Sequence, residues 1–415
     1  MGTMKQNGSK WLTLALLSGA FFFHQADRAL FGLLTIPIQD ELHLTDLQIG
    51  WINTALFCTL AVTTPFAGVL GDRFSRKWII TFSLLFWSLM TACTGFVGGI
   101  CGLVFFRSIA TGGGESFYTP SAFALLAEHH KETRGIAFSV HQSALYVGLM
   151  LSGALVAWAL HLFGGWRPVF IAFGGMGFLL GVVFCFALKD KAPAAAGGGP
   201  PARGRFADAA KAVFCNPAAL CAMLGYMAMV FTNNAYMSWA PKFMAQKFPE
   251  LTLGAAGFGT MFWHYAAALA AIIAGGVVTD RVVKRAPKYR LLLQGTATLL
   301  GAPLVAAFGF APSVVAAWAA IAVWGAFRGF IEVNTHPSLF DVVEPRFRAT
   351  AEGLVNFVVF LVGSLSPLML GALSDAYGVR GFEVGFAVLA CTYVVGALAL
   401  FVSYAFFFTS RKVEE

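Results

Sequence analysis

Five residues near the start of the chain, His24-Gln25-Ala26-Asp27-Arg28, interrupt a stretch that is otherwise apolar on both sides. A second apolar stretch carries Arg107 and Glu115, with Gly112-Gly113-Gly114 between them, and a third carries Arg328, Glu332, Asn334 and His336. A fourth holds Thr232, Asn233, Asn234 and Tyr236, polar but uncharged. These residue types suit one kind of chemistry. A guanidinium grips a carboxylate through paired hydrogen bonds. A carboxylate kept from water takes up and releases a proton as its neighbours change.

A charge at the middle of a membrane costs about 2.5–3.5 kcal/mol on insertion scales, so each needs a partner or a purpose. Asp27 and Arg28 are adjacent, which on a helix turns their side chains about 100° apart. Each must therefore meet something on another helix. One reading is structural: Asp27 with Arg107, or Arg28 with Glu115, forms an ion pair that holds the N-terminal half together. The other is functional: an Arg binds a substrate anion while Asp27 or Glu115 takes a proton, which couples the two movements. Arg328 and Glu332 are four residues apart, so they can neutralise each other on one helix face. His141 and Gln142, Tyr146, His264 and Asn356 are further polar residues in apolar surroundings. A lone membrane His more often makes an interhelix hydrogen bond.

The elements that must position these side chains are membrane helices. The 415 residues are 58% hydrophobic and 12% charged, with mean hydropathy +0.74. Soluble domains carry about 25% charged residues. A membrane helix needs about 20 mostly apolar residues, and reading on that basis gives about twelve spans. They lie within 11–38, 46–70, 77–98, 99–127, 134–162 and 166–188, then 214–245, 253–279, 289–310, 312–340, 349–373 and 381–408. The chain thus divides into a six-helix bundle over 1–188, a Gly- and Pro-rich linker over 189–213, and a second bundle over 214–415. Within the linker region, 206–213 reads as a short amphipathic helix.

Most Lys and Arg fall on alternate connections. Only Arg167, Lys242, Lys247 and Arg380 fall on the opposite side, and Arg28, Arg107 and Arg328 fall inside spans. The positive-inside rule then puts both termini, the linker and the connections after the second and eighth spans in the cytoplasm. The net charge of +8 is spread over short loops, which argues against a nucleic-acid partner. The seven Cys form no CxxC pair, no GxxxxGK[ST] loop is present, and no clustered metal-ligand set stands out. An ATP-driven pump, a cofactor or metal enzyme and a disulfide framework are not expected.

Those two connections are copies of one pattern. Gly68-Val-Leu-Gly-Asp72-Arg73-Phe-Ser-Arg76-Lys77 returns half a chain later as Gly276-Val-Val-Thr-Asp280-Arg281-Val-Val-Lys284-Arg285. Thr119-Pro120-Ser121 in the fourth span is echoed by His336-Pro337-Ser338 in the tenth. The repeated loop resembles the signature between the second and third helices of the major facilitator superfamily. The resemblance implies an all-α fold of twelve helices in two pseudo-symmetric bundles, with spans one, four, seven and ten lining a central cavity. It gives Gly68, Asp72, Arg73, Arg76, Asp280 and Arg281 a role in gating.

The Asp-Arg pair followed by Ile38-Gln39-Asp40-Glu41-Leu42 resembles the anion:cation symporter branch, which includes sialin-like organic-anion carriers. That likeness implies substrate binding at Arg28 and Arg107, with protonation at Asp27 and Glu115. The Glu in that branch usually lies seven residues after the Arg; here the spacing is eight, and three glycines could absorb the extra residue as a bulge. Gln142, Tyr146, Asn233, Asn234, Arg328 and Asn356 complete the substrate-binding set. The Spinster lipid-transporter branch shares the Asp-Arg pair and a Gly-Glu step, and implies lysolipid cargo instead. The expectation is a proton-coupled importer of a small organic anion, such as a sugar acid. It is expected to act as a monomer in a bacterial inner membrane.

Overall fold

The computed structural model describes residues 2–188 and 203–411, and all regular structure among them is helical. Two compact units emerge: Met1–Gly197 with Leu253–Met261, and Gly198–Thr252 with Phe262–Glu415. Most of the expected linker, 189–202, lies outside the described residues. Its last part is the helix α10 (Arg203–Phe214), which packs on the second unit with Ala209 and Val213 fully covered.

In the first unit, α1 (Gly2–Leu33) is followed by the short α2 (Thr35–Leu42), and then α3 (Asp46–Arg73) and α4 (Arg76–Thr94). A capping box starts α3: Thr45 accepts from the Gln48 amide, and the Gln48 side chain accepts from the Thr45 amide. The fourth span is broken. It runs as α5 (Ile100–Gly102), a π-helical turn (Leu103–Ala110), α6 (Thr111–Glu115) and α7 (Tyr118–His129). Then come α8 (Arg134–Phe163) and α9 (Trp166–Ala187), with α1 lying along α8 and α4 along α9. The α4–α9 seam closes over a glycine. A Cβ at Gly174 would stand 2.4 Å from the Ser88 carbonyl oxygen, so only Gly allows this approach.

The second unit holds α11 (Pro217–Lys247), α12 (Leu253–Val283), α13 (Tyr289–Gly309) and α14 (Val314–Phe340). A 3₁₀ turn (Pro345–Phe347) leads into α15 (Arg348–Gly363), α16 (Leu365–Tyr377) and α17 (Val379–Val402). A π turn (Ser403–Phe407) and α18 (Phe408–Arg411) complete the described residues. Here α13 lies along α14 and α17, so the ninth and twelfth spans pair as the third and sixth do in the first unit.

Among the described residues, ten helices are long and apolar enough to cross a membrane. The first and fourth spans are the two expected crossings outside that set. Their polar content explains it: His24 to Arg28 dilutes the hydropathy of α1, and the fourth span is cut into short pieces.

The two signature stretches are less loop-like than the sequence implied. The second helix continues to Arg73, and only Phe74 and Ser75 separate it from α4. Likewise α12 runs on to Val283 through Asp280 and Arg281, both exposed. Nothing in Gly68–Arg73 removes a backbone donor, and glycine is tolerated in membrane helices. The side chains of Asp72 and Arg73, and the surroundings of Gly68, lie outside the described residues. Arg76 forms an ion pair with Glu128 at the end of α7.

Candidate functional site

Four charges from α1 and the fourth span meet inside the first unit. Asp27 and Arg28 diverge, as their adjacency requires, and each finds a partner of opposite sign. Arg28 donates through Nε and Nη2 to Glu115 Oε2, at 3.2 and 3.0 Å. Arg107 Nη1 lies 3.5 Å from Asp27 Oδ2. The two pairs named from the sequence therefore both form.

The pairs differ in depth. Arg107 is 1% exposed, and its Nη2 donates to the main-chain carbonyls of Asp27 and Arg28 at 2.9 and 3.1 Å. One guanidinium thus ties the middle of α1 to the fourth span. Thr91 on α4 donates to Asp27 Oδ2 at 3.0 Å, which fixes that carboxylate from a third helix. Glu115 is fully buried, while the Arg28 side chain keeps 18% of its surface accessible. Arg28 is the member of the quartet that a solute can reach.

The spacing of eight between Arg107 and Glu115 is absorbed by the π turn rather than by the glycines. The Thr111 amide reaches back five residues to the Phe106 carbonyl, the wide loop of a π helix, with Arg107 inside it. The glycines serve packing. A Cβ at Gly112 would stand 3.0 Å from a methyl of Leu56, and one at Gly114 would stand 2.8 Å from the Phe86 ring. Ser83 on α4 donates to the Gly114 carbonyl at 2.6 Å. Close approach to α3 and α4 brings Glu115 inward to Arg28.

Sequence reasoning gave no role to three contributors. His24 is 1% exposed and its Nε2 lies 3.2 Å from Glu115 Oε2. Its position four residues before Arg28 was the available signal. Thr91 gave none, because a lone hydroxyl in a distant span looks like any other. Tyr265 is the third, and it belongs to the second unit.

There, Arg328 pairs with Glu332 at 3.1 Å along α14, and its guanidinium stands over the Tyr265 ring at 5.4 Å. The Tyr265 hydroxyl donates to Asn233 Oδ1 at 3.3 Å. Arg328 and Asn233 are thereby brought to one place by a residue outside the expected set. Asn234 is buried on the next position of α11. Asn356 lines a small space with Tyr226, His336 and Glu352, where His336 Nδ1 lies 3.4 Å from Glu352 Oε1. His264 donates to the Ile321 carbonyl at 3.2 Å, an interhelix bond of the ordinary kind. In the first unit, Gln142 is half-buried and Tyr146 buried, one turn apart on α8. The neighbouring His141 stacks on Phe21 at 4.4 Å.

Glu41, outside the spans, accepts from Arg167 at the start of α9 at 2.7 Å, and the Trp166 indole donates to the same carboxylate at 2.6 Å. The Arg167 hydrogen bond holds the Glu41 carboxyl below its ordinary range, and the indole adds to it.

Residues 16–367 match the family model described as Major Facilitator Superfamily. The chain is 26% identical to Protein spinster homolog 3 of Danio rerio, covering 98% of this chain and 87% of that one. It is 24% identical to the Probable L-galactonate transporter of Escherichia coli (strain K12), covering 93% and 87%. Its fold resembles a crystal structure of a bacterial homolog to the human lysosomal transporter Spinster in an inward-facing and occupied conformation. That match has a TM-score of 0.83 at 19% identity and covers 97% of this chain and 98% of that one.

Proposed function

The chain belongs to the major facilitator superfamily and is a multi-pass secondary transporter; we propose that its cargo is a small organic anion of the sugar-acid kind, moved together with a proton by alternating access. In this reading it works as a monomer in a bacterial inner membrane with both termini in the cytoplasm. The observation that carries the proposal is the unequal quartet: one ion pair sealed, the other with its guanidinium partly open. Arg107 and Asp27 hold the first and fourth spans together. Arg28 and Glu115 do the work. While Glu115 is ionised, it occupies two donors of Arg28. A proton on Glu115 removes that charge and leaves Arg28 free to grip a carboxylate of the cargo. Binding of cargo and of proton then favour each other, and the coupling is reciprocal.

In the second unit, Arg328, Asn233 and Tyr265 form a polar cluster of their own, one cation with two hydrogen-bonding groups. Likeness to the probable L-galactonate transporter supports the sugar-acid class of cargo. A second reading, transport of an amphipathic lipid, is favoured by likeness to the Sphingosine-1-phosphate transporter SPNS2 of Danio rerio and by an apolar groove of about 860 Å³ in the first unit. Leu70, Phe74, Trp78, Phe82, Phe86 and Phe117 line it.

Proteoliposome uptake separates the two. With an inward proton gradient, labelled L-galactonate should accumulate, and Glu115→Gln should abolish accumulation while leaving exchange across the membrane intact. Accumulation that survives in Glu115→Gln sinks the coupling role. Lysolipid movement with no uptake of any sugar acid replaces the cargo.

A further inference from the structure

The His24 ring lies between two groups that make opposite demands on it. Its Nε2 is 3.2 Å from Glu115 Oε2 and 3.4 Å from Arg28 Nη2. A carboxylate oxygen needs a hydrogen on that nitrogen, whereas a guanidinium N–H needs a lone pair there. Nε2 can serve one of them and not both. On the far side, the Gln25 side-chain nitrogen lies 3.1 Å from His24 Nδ1. Gln25 is 4% exposed and His24 1%, so neither bond is open to bulk water. A side-chain amide carries a donor and an acceptor, so turning it over lets it match Nδ1 with or without a hydrogen.

The ring is fixed in place. It packs against Phe21 at 5.8 Å, Trp87 of α4 at 5.2 Å and Tyr118 of α7 at 5.8 Å. The titratable and charged groups around it are Asp27 and Arg28 on its own helix, Arg107 in the π turn, Glu115 on α6 and Tyr118 on α7. Behind Phe21 stands His141 on α8. Of the acids in this set, Glu115 has the hydrogen-bond contact with the ring.

We infer that His24 is the group through which Glu115 gains and loses its proton, with the Gln25 amide matching the other face of the ring. The inference rests on the proton-coupled reading above. The step balances with one proton. While Glu115 is ionised, Nε2–H donates to Oε2, and Nδ1 accepts from Gln25. A hydronium proton that reaches Nδ1 as the Gln25 amide turns aside forms an N–H bond there and leaves water behind, the Nε2–H bond breaks, and an O–H bond forms on Glu115. His24 ends neutral with its hydrogen moved to Nδ1, and Gln25 turns its carbonyl toward it. The Nε2 lone pair then accepts from the new carboxylic acid or from Arg28. Release reverses each bond. His24 is thus a carrier whose tautomer follows the charge of Glu115.

The test reads the site directly and needs no cargo. Full-length protein in detergent is prepared with isotope-labelled histidine, and the His24 signals are assigned by their loss in His24→Gln. The carboxylic-acid infrared band of Glu115 is assigned by its loss in Glu115→Gln. As pH falls, the hydrogen on His24 should move from Nε2 to Nδ1 in step with growth of that band. Gln25→Leu removes the partner of Nδ1. A buried N–H without an acceptor is the less tolerated outcome, so this variant should hold the hydrogen on Nε2 to lower pH. A band that grows while His24 keeps its hydrogen on Nε2, or a Gln25→Leu midpoint that does not move, removes the relay and leaves Glu115 as the proton site. A band that appears at no pH removes the proton-coupled reading and the relay together.

Discussion

The fourth span and α14 hold corresponding positions in the two units, and they treat a buried arginine in different ways. In the fourth span the helix widens into a π turn around Arg107, tightens over three glycines and breaks after Glu115. Its charges are answered by another helix, α1. In α14 the helix runs unbroken from Val314 to Phe340, and Arg328 is answered four residues on by Glu332. The first arrangement makes charge neutrality depend on helices staying together. The second keeps it local. A region that must change its ion pairing during a cycle benefits from the first, and a region that only presents a cation manages with the second.

The largest effect should come from deleting the sealed guanidinium. Arg107→Met leaves Asp27 buried without a cation and frees two carbonyls of α1. Breaking a buried pair in this way costs about 3–5 kcal/mol. The equivalent change in α14, Arg328→Met, leaves Glu332 with 24% of its side chain accessible, against 7% for Asp27. Its cost should be the smaller of the two, about 1–3 kcal/mol. Thermal unfolding of the two variants in one detergent tests the contrast, and equal losses would erase it.

A smaller effect separates the glycines. Gly114→Ala puts a methyl 2.8 Å from the Phe86 ring and 3.1 Å from the Trp87 side chain, an overpacking cost of about 1–3 kcal/mol. Gly113→Ala meets nothing closer than 4.0 Å and should be neutral or gain from its better helix propensity. The π turn predicts that shortening is tolerated. Removing Ile109, which is 49% exposed, turns the eight-residue spacing into seven and lets the turn close as ordinary α helix. Residues seven apart on an α helix share a face, so Glu115 should still reach Arg28. Stability should change by about 1 kcal/mol or less, judged against the cost of an ordinary single change. A loss as large as that of Arg107→Met would show that the widened turn is needed for itself.

The fold was legible because its signals are coarse and redundant. Apolar runs of membrane length, alternating basic connections and a motif repeated at matching offsets all point the same way. The site was partly legible for a different reason. A charge in an apolar run has few explanations, so Asp27, Arg28, Arg107 and Glu115 could be singled out, and even paired, without coordinates. Thr91 could not, since a hydroxyl carries no such cost and its partner lies on another helix. Nor could the place of the extra residue between Arg107 and Glu115. Both a glycine bulge and a π turn satisfy the spacing, and only packing against α3 and α4 decides between them. The extent of α3 through Gly68–Arg73 was misjudged because glycines read as turns in water persist as helix in lipid.

The smallest effect sets one helix-end tie of the first unit against its counterpart in the second. In the first unit, Glu41 accepts from Arg167 and from the Trp166 indole, and Arg167 also donates to the Gly95 and Val97 carbonyls. In the second, Lys247 donates to Glu383 and to the Gly309 carbonyl, both at 2.6 Å. The first tie is the more exposed, with 30% and 49% of its two side chains accessible against 13% and 24%. Exposed pairs contribute about 0–1 kcal/mol, so Glu41→Gln should lower the unfolding midpoint slightly and Glu383→Gln somewhat more. The Glu41 tie carries a pH signature. Its carboxyl titrates below the ordinary value in the folded protein, so its contribution is present above the unfolded pKa of about 4.3 and fades as pH falls through the lower, folded one. The gap between wild type and Glu41→Gln should therefore hold steady near neutrality and close in acid. A gap absent at every pH would mean that Arg167 holds its carbonyls without help from Glu41, and that the first unit is tied at this end by backbone contacts alone.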